Sequence, residues 1–303
     1  MNITTIMRYT TTLADLPHPS TWLMTAALAT SLATSALAQA PAVKSGDSIA
    51  FMGDSITQGG WESSVGYVRL IMSALEANDI KATAIPAGIS GHKSNNMLER
   101  LRRDVLDKKP TWMTLSCGVN DVWHGANGVP LPQYQTNITA IIDQAQAAGI
   151  KVMVLTATVI TEQEDNANNQ KLAPYNDFLR ALAKEKGCLL ADLNADMWAG
   201  LKAKPGKGDV FTADGVHMNA QGNCLMATGV LRAFGLTEPQ ILKGREVWMT
   251  IPNVVNVQGK QGVSMGQFEQ LKALAARQNC SVADLLNKAF AAAISNVLKT
   301  AAE

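Results

Sequence analysis

The chain has 303 residues, 47% hydrophobic and 17% charged, which suits one large folded domain or two modest ones and excludes a disordered or collagen-like chain. A net charge of +1 gives no broad electrostatic attraction to nucleic acid or to an anionic membrane surface. Aromatic residues are scarce at 5%, yet six of them are Trp, so tryptophan positions carry information.

Residues 1–38 read as an export signal. Arg8 supplies positive charge, and an uncharged run rich in Leu, Ala, Thr and Ser extends from Trp22 to Leu37. It ends in Ala36-Leu37-Ala38, an A-x-A cleavage pattern. The run falls short of the ~20 apolar residues that a membrane span needs. The mature chain is expected to start at Gln39 and to lie in a bacterial periplasm or beyond, without stable membrane insertion.

From about residue 47 short apolar runs alternate with helical patterns. The run Ser48 to Met52 is a strand, Tyr67 to Ala77 an amphipathic helix, Lys81 to Ala87 a strand and Asn95 to Leu106 a charged helix. Trp112 to Cys117 is a strand, followed by a helix from Gln133 to Ala148. Lys151 to Val159 is a continuous apolar strand of the kind buried on both faces. A helix from Leu172 to Lys186, a fifth strand from Cys188 to Leu193 and a helix from Asn219 to Phe234 complete the series. Five strand-then-helix units imply an α/β fold, a parallel sheet between two helical layers, with the site at the carboxyl ends of the strands.

After about Arg245 the pattern changes. The expected division is a main domain at 39–244 and a C-terminal helical hairpin module at 245–303. Its helices run from Met265 to Gln278 and from Val282 to Leu298, the second preceded by an N-cap at Ser281 with Asp284 three residues on. Apolar residues Phe268, Leu271, Leu274, Leu285, Leu286 and Phe290 recur at helical spacing and must bury against the main domain or a second copy.

Four cysteines, Cys117, Cys188, Cys224 and Cys280, show no zinc spacing, and neither metal nor cofactor is expected. Their pairing is left open.

Chemistry concentrates in four short blocks at strand ends. These are Gly53-Asp54-Ser55-Ile56-Thr57, Gly88-Ile89-Ser90-Gly91, Gly118-Val119-Asn120-Asp121 and, before the last helix of the main domain, Asp214-Gly215-Val216-His217. A serine needs a base to become a nucleophile. Of the four histidines (His18, His92, His124 and His217), His217 has an acid three residues before it, close enough to fix its tautomer. The Ser55 and Gly91 backbone N–H groups and the Asn120 side chain reach one sheet edge, where a developing oxyanion needs donors. Each block alone is an ordinary turn; together, in this order, they describe a hydrolase.

On these blocks the chain resembles the SGNH hydrolases, also called GDSL esterases and lipases, over about residues 47 to 235. The resemblance implies a flavodoxin-like five-stranded parallel sheet, with Ser55 as nucleophile, Asp214 and His217 as acid and base, and Ser55, Gly91 and Asn120 as the oxyanion hole. Pro86 and the pair His92-Lys93 depart from the residues frequent there. A competing motif, Gly262-Val263-Ser264-Met265-Gly266, fits the nucleophile elbow of another hydrolase fold, but no histidine follows His217, so it is read as chance or a turn.

Trp61, Trp123 and Trp198 fall after strands one, three and five and are candidate stacking platforms for a sugar. No long apolar stripe suggests an acyl tunnel. The expected substrate is an acetyl or other short acyl group on a carbohydrate, resembling the secreted carbohydrate-esterase branch. The alternative is a broad arylesterase, lysophospholipase or thioesterase. Residues from Val263 to Ile294 also resemble a ribbon-helix-helix module. Export and the sparse basic residues Lys260, Lys272, Arg277 and Lys288 argue against nucleic acid and leave a homodimer or intramolecular docking.

Overall fold

The computed structural model describes residues 40–203, 210–252 and 264–300; the expected export signal at 1–38 lies outside the described residues. In chain order the elements are β1 (Ser48–Gly53), α1 (Ser55–Glu62), α2 (Tyr67–Ala77), β2 (Thr83–Gly88), α3 (Ser94–Asp104), β3 (Trp112–Ser116), α4 (Val119–Trp123) and α5 (Leu131–Ala147). They continue with β4 (Lys151–Leu155), α6 (Ala167–Glu185), β5 (Leu189–Ala191), α7 (Leu193–Ala203), α8 (Ala220–Ala233), α9 (Glu238–Met249), α10 (Met265–Arg277) and α11 (Val282–Thr300).

The five strands form one parallel sheet in the order β2-β1-β3-β4-β5. β1 and β3 are apolar without alternation because helices cover both faces, and five of six β1 residues are buried. The chain runs outward from β1 in both directions, so a crevice opens at the carboxyl ends of β1 and β3. Gly53 pairs with Gly88, and Met52 pairs with Leu115, which brings the first three blocks to one sheet edge.

Two local devices shape that edge. Asp54 caps α1 by accepting a 2.9 Å hydrogen bond from the Ile56 N–H, so the helix begins at Ser55. A Cβ on Gly88 would lie 2.3 Å from the Gln58 backbone nitrogen. Only glycine there lets α1 cross the end of β2 so closely.

The fold departs from the expected elements in five places. α1, α4, α7 and α9 were not anticipated, and β4 ends at Leu155 rather than continuing to Val159. Beyond Leu155 the neighbouring strands stop, at Ser116 in β3 and Ala191 in β5, so the sheet offers little further ladder. Thr156 to Ile160 remain buried, and asparagine side chains serve their backbone. Asn176 both accepts from the Ala157 N–H (2.8 Å) and donates to its carbonyl (2.9 Å), while Asn169 accepts from Ile160 and Asn194 donates to Thr158.

α9 also runs across the expected domain boundary at 244. A Cβ on Gly244 would sit 2.5 Å from the Ala74 Cβ, so α9 lies hard against α2. Trp248 is buried, and its indole N–H donates to the Leu70 carbonyl at 3.0 Å. The main core therefore reaches at least Trp248. In the tail, Ser264 and Ser281 cap α10 and α11 as expected for the second. Of the α10 residues only Ala275 is buried and α11 has none, so Phe268, Leu274, Leu286 and Phe290 stay partly exposed. The strand of a ribbon-helix-helix would precede Ser264, outside the described residues. Among the described residues no helix is long and apolar enough to cross a membrane.

Trp248→Ala should cost about 3–5 kcal/mol, the usual range for deleting a buried large aromatic. A chain ending at residue 252 should unfold cooperatively at nearly the full-length midpoint, and one ending at residue 244 well below it. Urea unfolding followed by circular dichroism measures both. Equal midpoints for the two truncations would show that α9 adds nothing to the core.

Candidate active site

Ser55 opens α1 at the carboxyl end of β1. Its Oγ lies 2.9 Å from His217 Nε2, and His217 Nδ1 lies 2.7 Å from Asp214 Oδ2. The other Asp214 oxygen accepts the backbone N–H groups of Val216 (3.0 Å) and His217 (2.7 Å), which fold the loop so that the acid faces the ring. Partial burial works to raise the Asp214 pKa, but the bonds from the His217 ring and from these two amides outweigh it and hold the carboxyl below its ordinary value. An ionised Asp214 only accepts. Nδ1 therefore carries the ring proton and Nε2 turns its lone pair to the Ser55 hydroxyl.

Three donors stand on the sheet edge that carries the serine. The Ser55 N–H belongs to the first turn of α1 and has no intrahelical acceptor. Gly91 sits at φ +75°, a left-handed conformation suited to glycine, and its N–H has no acceptor among the described residues. Asn120 is buried on α4, and its amide donates one N–H to the His92 carbonyl at 3.2 Å, leaving the second for a ligand. Such an arrangement is equipped to take a proton from Ser55 and to hold negative charge on a carbonyl oxygen.

The model of the GDSL-like lipase/acylhydrolase family matches residues 51–225, which include all four blocks. The chain belongs to this family. An acetylxylan esterase of Geobacillus stearothermophilus is 25% identical over 212 residues, covering 64% of this chain and 96% of the relative. Esterase TesA of Pseudomonas aeruginosa is 32% identical over 105 residues, covering 34% of this chain and 51% of the relative. The crystal structure of the acetyl xylan esterase AlAXEase superimposes with a TM-score of 0.59 at 33% identity, over 61% of this chain and 98% of that one. The protein is thus a carboxylic ester hydrolase of the GDSL (SGNH) type with the five-stranded fold expected from its sequence.

Behind this GDSL site lies a buried polar layer that short motifs do not reveal. Arg100 of α3 is 4% exposed. Its guanidinium donates to the carbonyls of Gly53 and Ala87 (2.8 Å each), to His92 Nδ1 (3.0 Å) and to Asp104 (3.0 Å). It ties the ends of β1 and β2 to the loop that carries Gly91. Burial, followed by the Arg100 charge, lowers the His92 pKa, so this ring stays neutral and accepts at Nδ1. Asp121 accepts from the Ser94 N–H (3.0 Å) and hydroxyl (2.6 Å), joining the third block to the start of α3.

The Ser55 cavity holds about 280 Å³, with Gly59, Ser63, Val65, His217 and Asn223 in its wall. A groove of about 800 Å³ adjoins it, sharing Val65 and Ala220 and walled further by Phe211, Leu225, Trp248 and Met249. The same groove also carries the polar and charged residues Asp196, Gln221, Arg232 and Arg245.

The three tryptophans separate. Trp123, three residues after Asn120, is 44% exposed. Trp61 is covered on one face by the Arg69 guanidinium, 3.8 Å from the ring centroid. Trp198 belongs to α7 and packs with Met197, Phe211 and Val159. None of the three lines the Ser55 cavity. Ser264 of the competing motif caps α10 by accepting from the Gln267 N–H, far from any histidine in sequence. All four cysteines are free thiols, and among the described residues no cluster of His, Cys, Asp and Glu is placed to hold a metal ion.

Asp54 is 3% exposed, and its carboxyl is pushed up from 3.8 to about 6. Desolvation dominates and the Asp121 charge adds to it, against the Ile56 N–H bond and the His217 charge. The native state therefore keeps a proton here between about pH 4 and 6 that the unfolded chain releases, and stability from this group is lost as pH rises through that window. Asp54→Asn keeps a capping side chain but has nothing to titrate. Its stability relative to the parent should improve between pH 4 and 6.5 in urea unfolding. A constant difference across that range would contradict the assignment.

Proposed function

We propose that Ser55 is the nucleophile of an acyl-enzyme mechanism, with His217 as general base and Asp214 as the acid that orients it. The 2.9 Å contact between Ser55 Oγ and His217 Nε2, backed by Asp214 at 2.7 Å, carries this reading. Ser55 Oγ attacks the ester carbonyl as His217 takes its proton. The tetrahedral oxyanion is met by the Ser55 and Gly91 N–H groups and the Asn120 amide. Collapse expels the alcohol, which receives the proton from His217, and leaves acylated Ser55. Water then attacks the acyl group with His217 again as base.

The proposed substrate is an acetyl or similarly short acyl ester of a carbohydrate. Two observations support it. A curated relative matched over 96% of its length and a solved structure matched over 98% of its length are both named acetylxylan esterases, and the Ser55 cavity is small. Exposed Trp123, close to Asn120, is the proposed sugar platform. Residues 1–38 are proposed to direct export. A second reading, hydrolysis of longer acyl esters or thioesters, is favoured by the apolar groove beside the cavity. The partly exposed apolar residues of α10 and α11 support a separate proposal, that the tail serves assembly as a homodimer module.

Ser55→Ala should lower turnover by several decades, and Asn120→Ala should lower kcat by ~10²–10³. Asp214 is held below its ordinary value and stays charged, so Asp214→Asn, which removes that charge and no longer fixes the His217 tautomer, should lower kcat severely. A panel of p-nitrophenyl esters from two to sixteen carbons beside acetylated xylan distinguishes the substrate readings. Preference for acetyl, with Trp123→Ala impairing xylan more than p-nitrophenyl acetate, supports the carbohydrate ester; a preference for eight carbons or more favours the groove. Phosphonate labelling of Ser264 in place of Ser55 would overturn the mechanism. Light scattering on the full chain and on one ending at residue 252 tests the tail: loss of a dimer on truncation is expected, and a monomer in both cases defeats the assembly proposal.

A further inference from the structure

The catalytic loop poses a mechanical problem. Asp214 and His217 lie in no helix or strand, their side chains are 51% and 42% exposed, and the nearest regular pairing is a single bridge between Thr212 and Met218. Yet His217 Nε2 must stay within hydrogen-bond reach of a serine 162 residues earlier in the chain.

One carboxylate answers for much of that precision. Glu162, in the loop between β4 and α6, accepts from the Val210 N–H at 2.7 Å through Oε2. Through Oε1 it accepts from the Phe211 N–H at 2.6 Å, the Thr212 N–H at 2.7 Å and the Thr212 hydroxyl at 3.0 Å. Three successive amides therefore turn onto a single anion, an arrangement of charge-assisted bonds that fixes backbone direction. These residues end two positions before Asp214. Beyond Asp214, the Thr161 N–H donates to the Gly215 carbonyl at 2.7 Å, with Thr161 held at φ 68°. The same loop thus grips the catalytic segment before and after its acid.

The gripping loop is itself anchored. Asn169 of α6 accepts from the Ile160 N–H (2.8 Å) and donates to the carbonyls of Thr161 (3.0 Å) and Gln163 (2.7 Å). Glu162 forms no ion pair among the described residues and does not line the Ser55 cavity. Its hydrogen-bond partners among the described residues all belong to residues 210–212, so its charge is directed at the segment that leads into the catalytic loop.

We infer that Glu162 is a positioning residue that sets His217 against Ser55 by clamping residues 210–212, an inference resting on the proposed Ser55–His217–Asp214 mechanism. It acts through His217 and touches no reacting atom.

Glu162→Gln is the sharpest test, because the side chain keeps its size but presents an N–H donor to one of the amides it now accepts. With hydrogen bonds to a charged group as the measure, kcat for p-nitrophenyl acetate should fall between about ten- and a hundredfold, and the rate of Ser55 phosphonylation should fall in parallel. The decisive readout is the same substitution in a His217→Ala background. A residue acting only through His217 should cost nothing further there. Wild-type turnover in Glu162→Gln, or an equal loss in both backgrounds, overturns the inference. If His217→Ala itself stays fully active, the mechanism fails rather than the clamp. Should Glu162→Gln not fold, Thr212→Val removes one of the four bonds; it should lower kcat severalfold only when His217 is present, and an equal loss in both backgrounds again overturns the inference.

Discussion

A buried guanidinium organises the edge on which the reaction site is built. Where parallel strands end, their last carbonyls lose the ladder and face one another as unpaired acceptors. Arg100 meets two of them, on Gly53 and Ala87, and orients the His92 ring beside them. Because Gly53 immediately precedes Asp54 and Ser55, and His92 immediately follows Gly91, one cation aligns the segments carrying the serine and a candidate oxyanion donor. The two acidic side chains nearby, Asp54 and Asp121, are buried with raised pKa values, chiefly from desolvation. The positive charge itself is met by Asp104 of the same helix, 3.0 Å from the guanidinium.

The site is therefore assembled from two unlike halves. Ser55, Gly91 and Asn120 hang from β1, β2 and β3, and their spacing follows from strand register and the close crossing of α1 over Gly88. Asp214 and His217 come from a loop held by side-chain-to-backbone bonds together with a few main-chain ones, such as Thr161 to Gly215 and Ala213 to His217. Asparagine and glutamate do there what a ladder does elsewhere: Asn169, Asn176 and Glu162 each serve several main-chain groups. The rigid half sets where charge can develop. The loop half delivers the base to it.

What could be read from the sequence follows from the range of the interactions. The four blocks were legible because each is a local signature, and the βα alternation was legible because parallel strands are apolar throughout. Arg100 was not, since it stands in a charged run, Glu99 to Asp104, that resembles a solvated helix face, and its carbonyl partners lie 13 and 47 residues away. Glu162 hid in a polar loop for the same reason, its partners 48 to 50 residues on. β4 was drawn too long because Thr156 to Ile160 are as buried as a strand, and burial alone does not reveal that asparagines, rather than a neighbour, complete their bonds. α9 was missed because the change of pattern after about Arg245 was read as a domain boundary, whereas Gly244 packs hard against Ala74 of α2. Trp61 and Trp198 were assigned to the site by position along the chain, but their rings turn to Arg69 and to the α7 cluster.

The four thiols carry a consequence of their own. None is joined to another, and Cys117, Cys188 and Cys224 are made less acidic chiefly by burial. A thiol held in its protonated form is a poor nucleophile for exchange. The described fold is therefore held without a covalent cross-link, and these three thiols, kept protonated by their surroundings, enter disulfide exchange slowly.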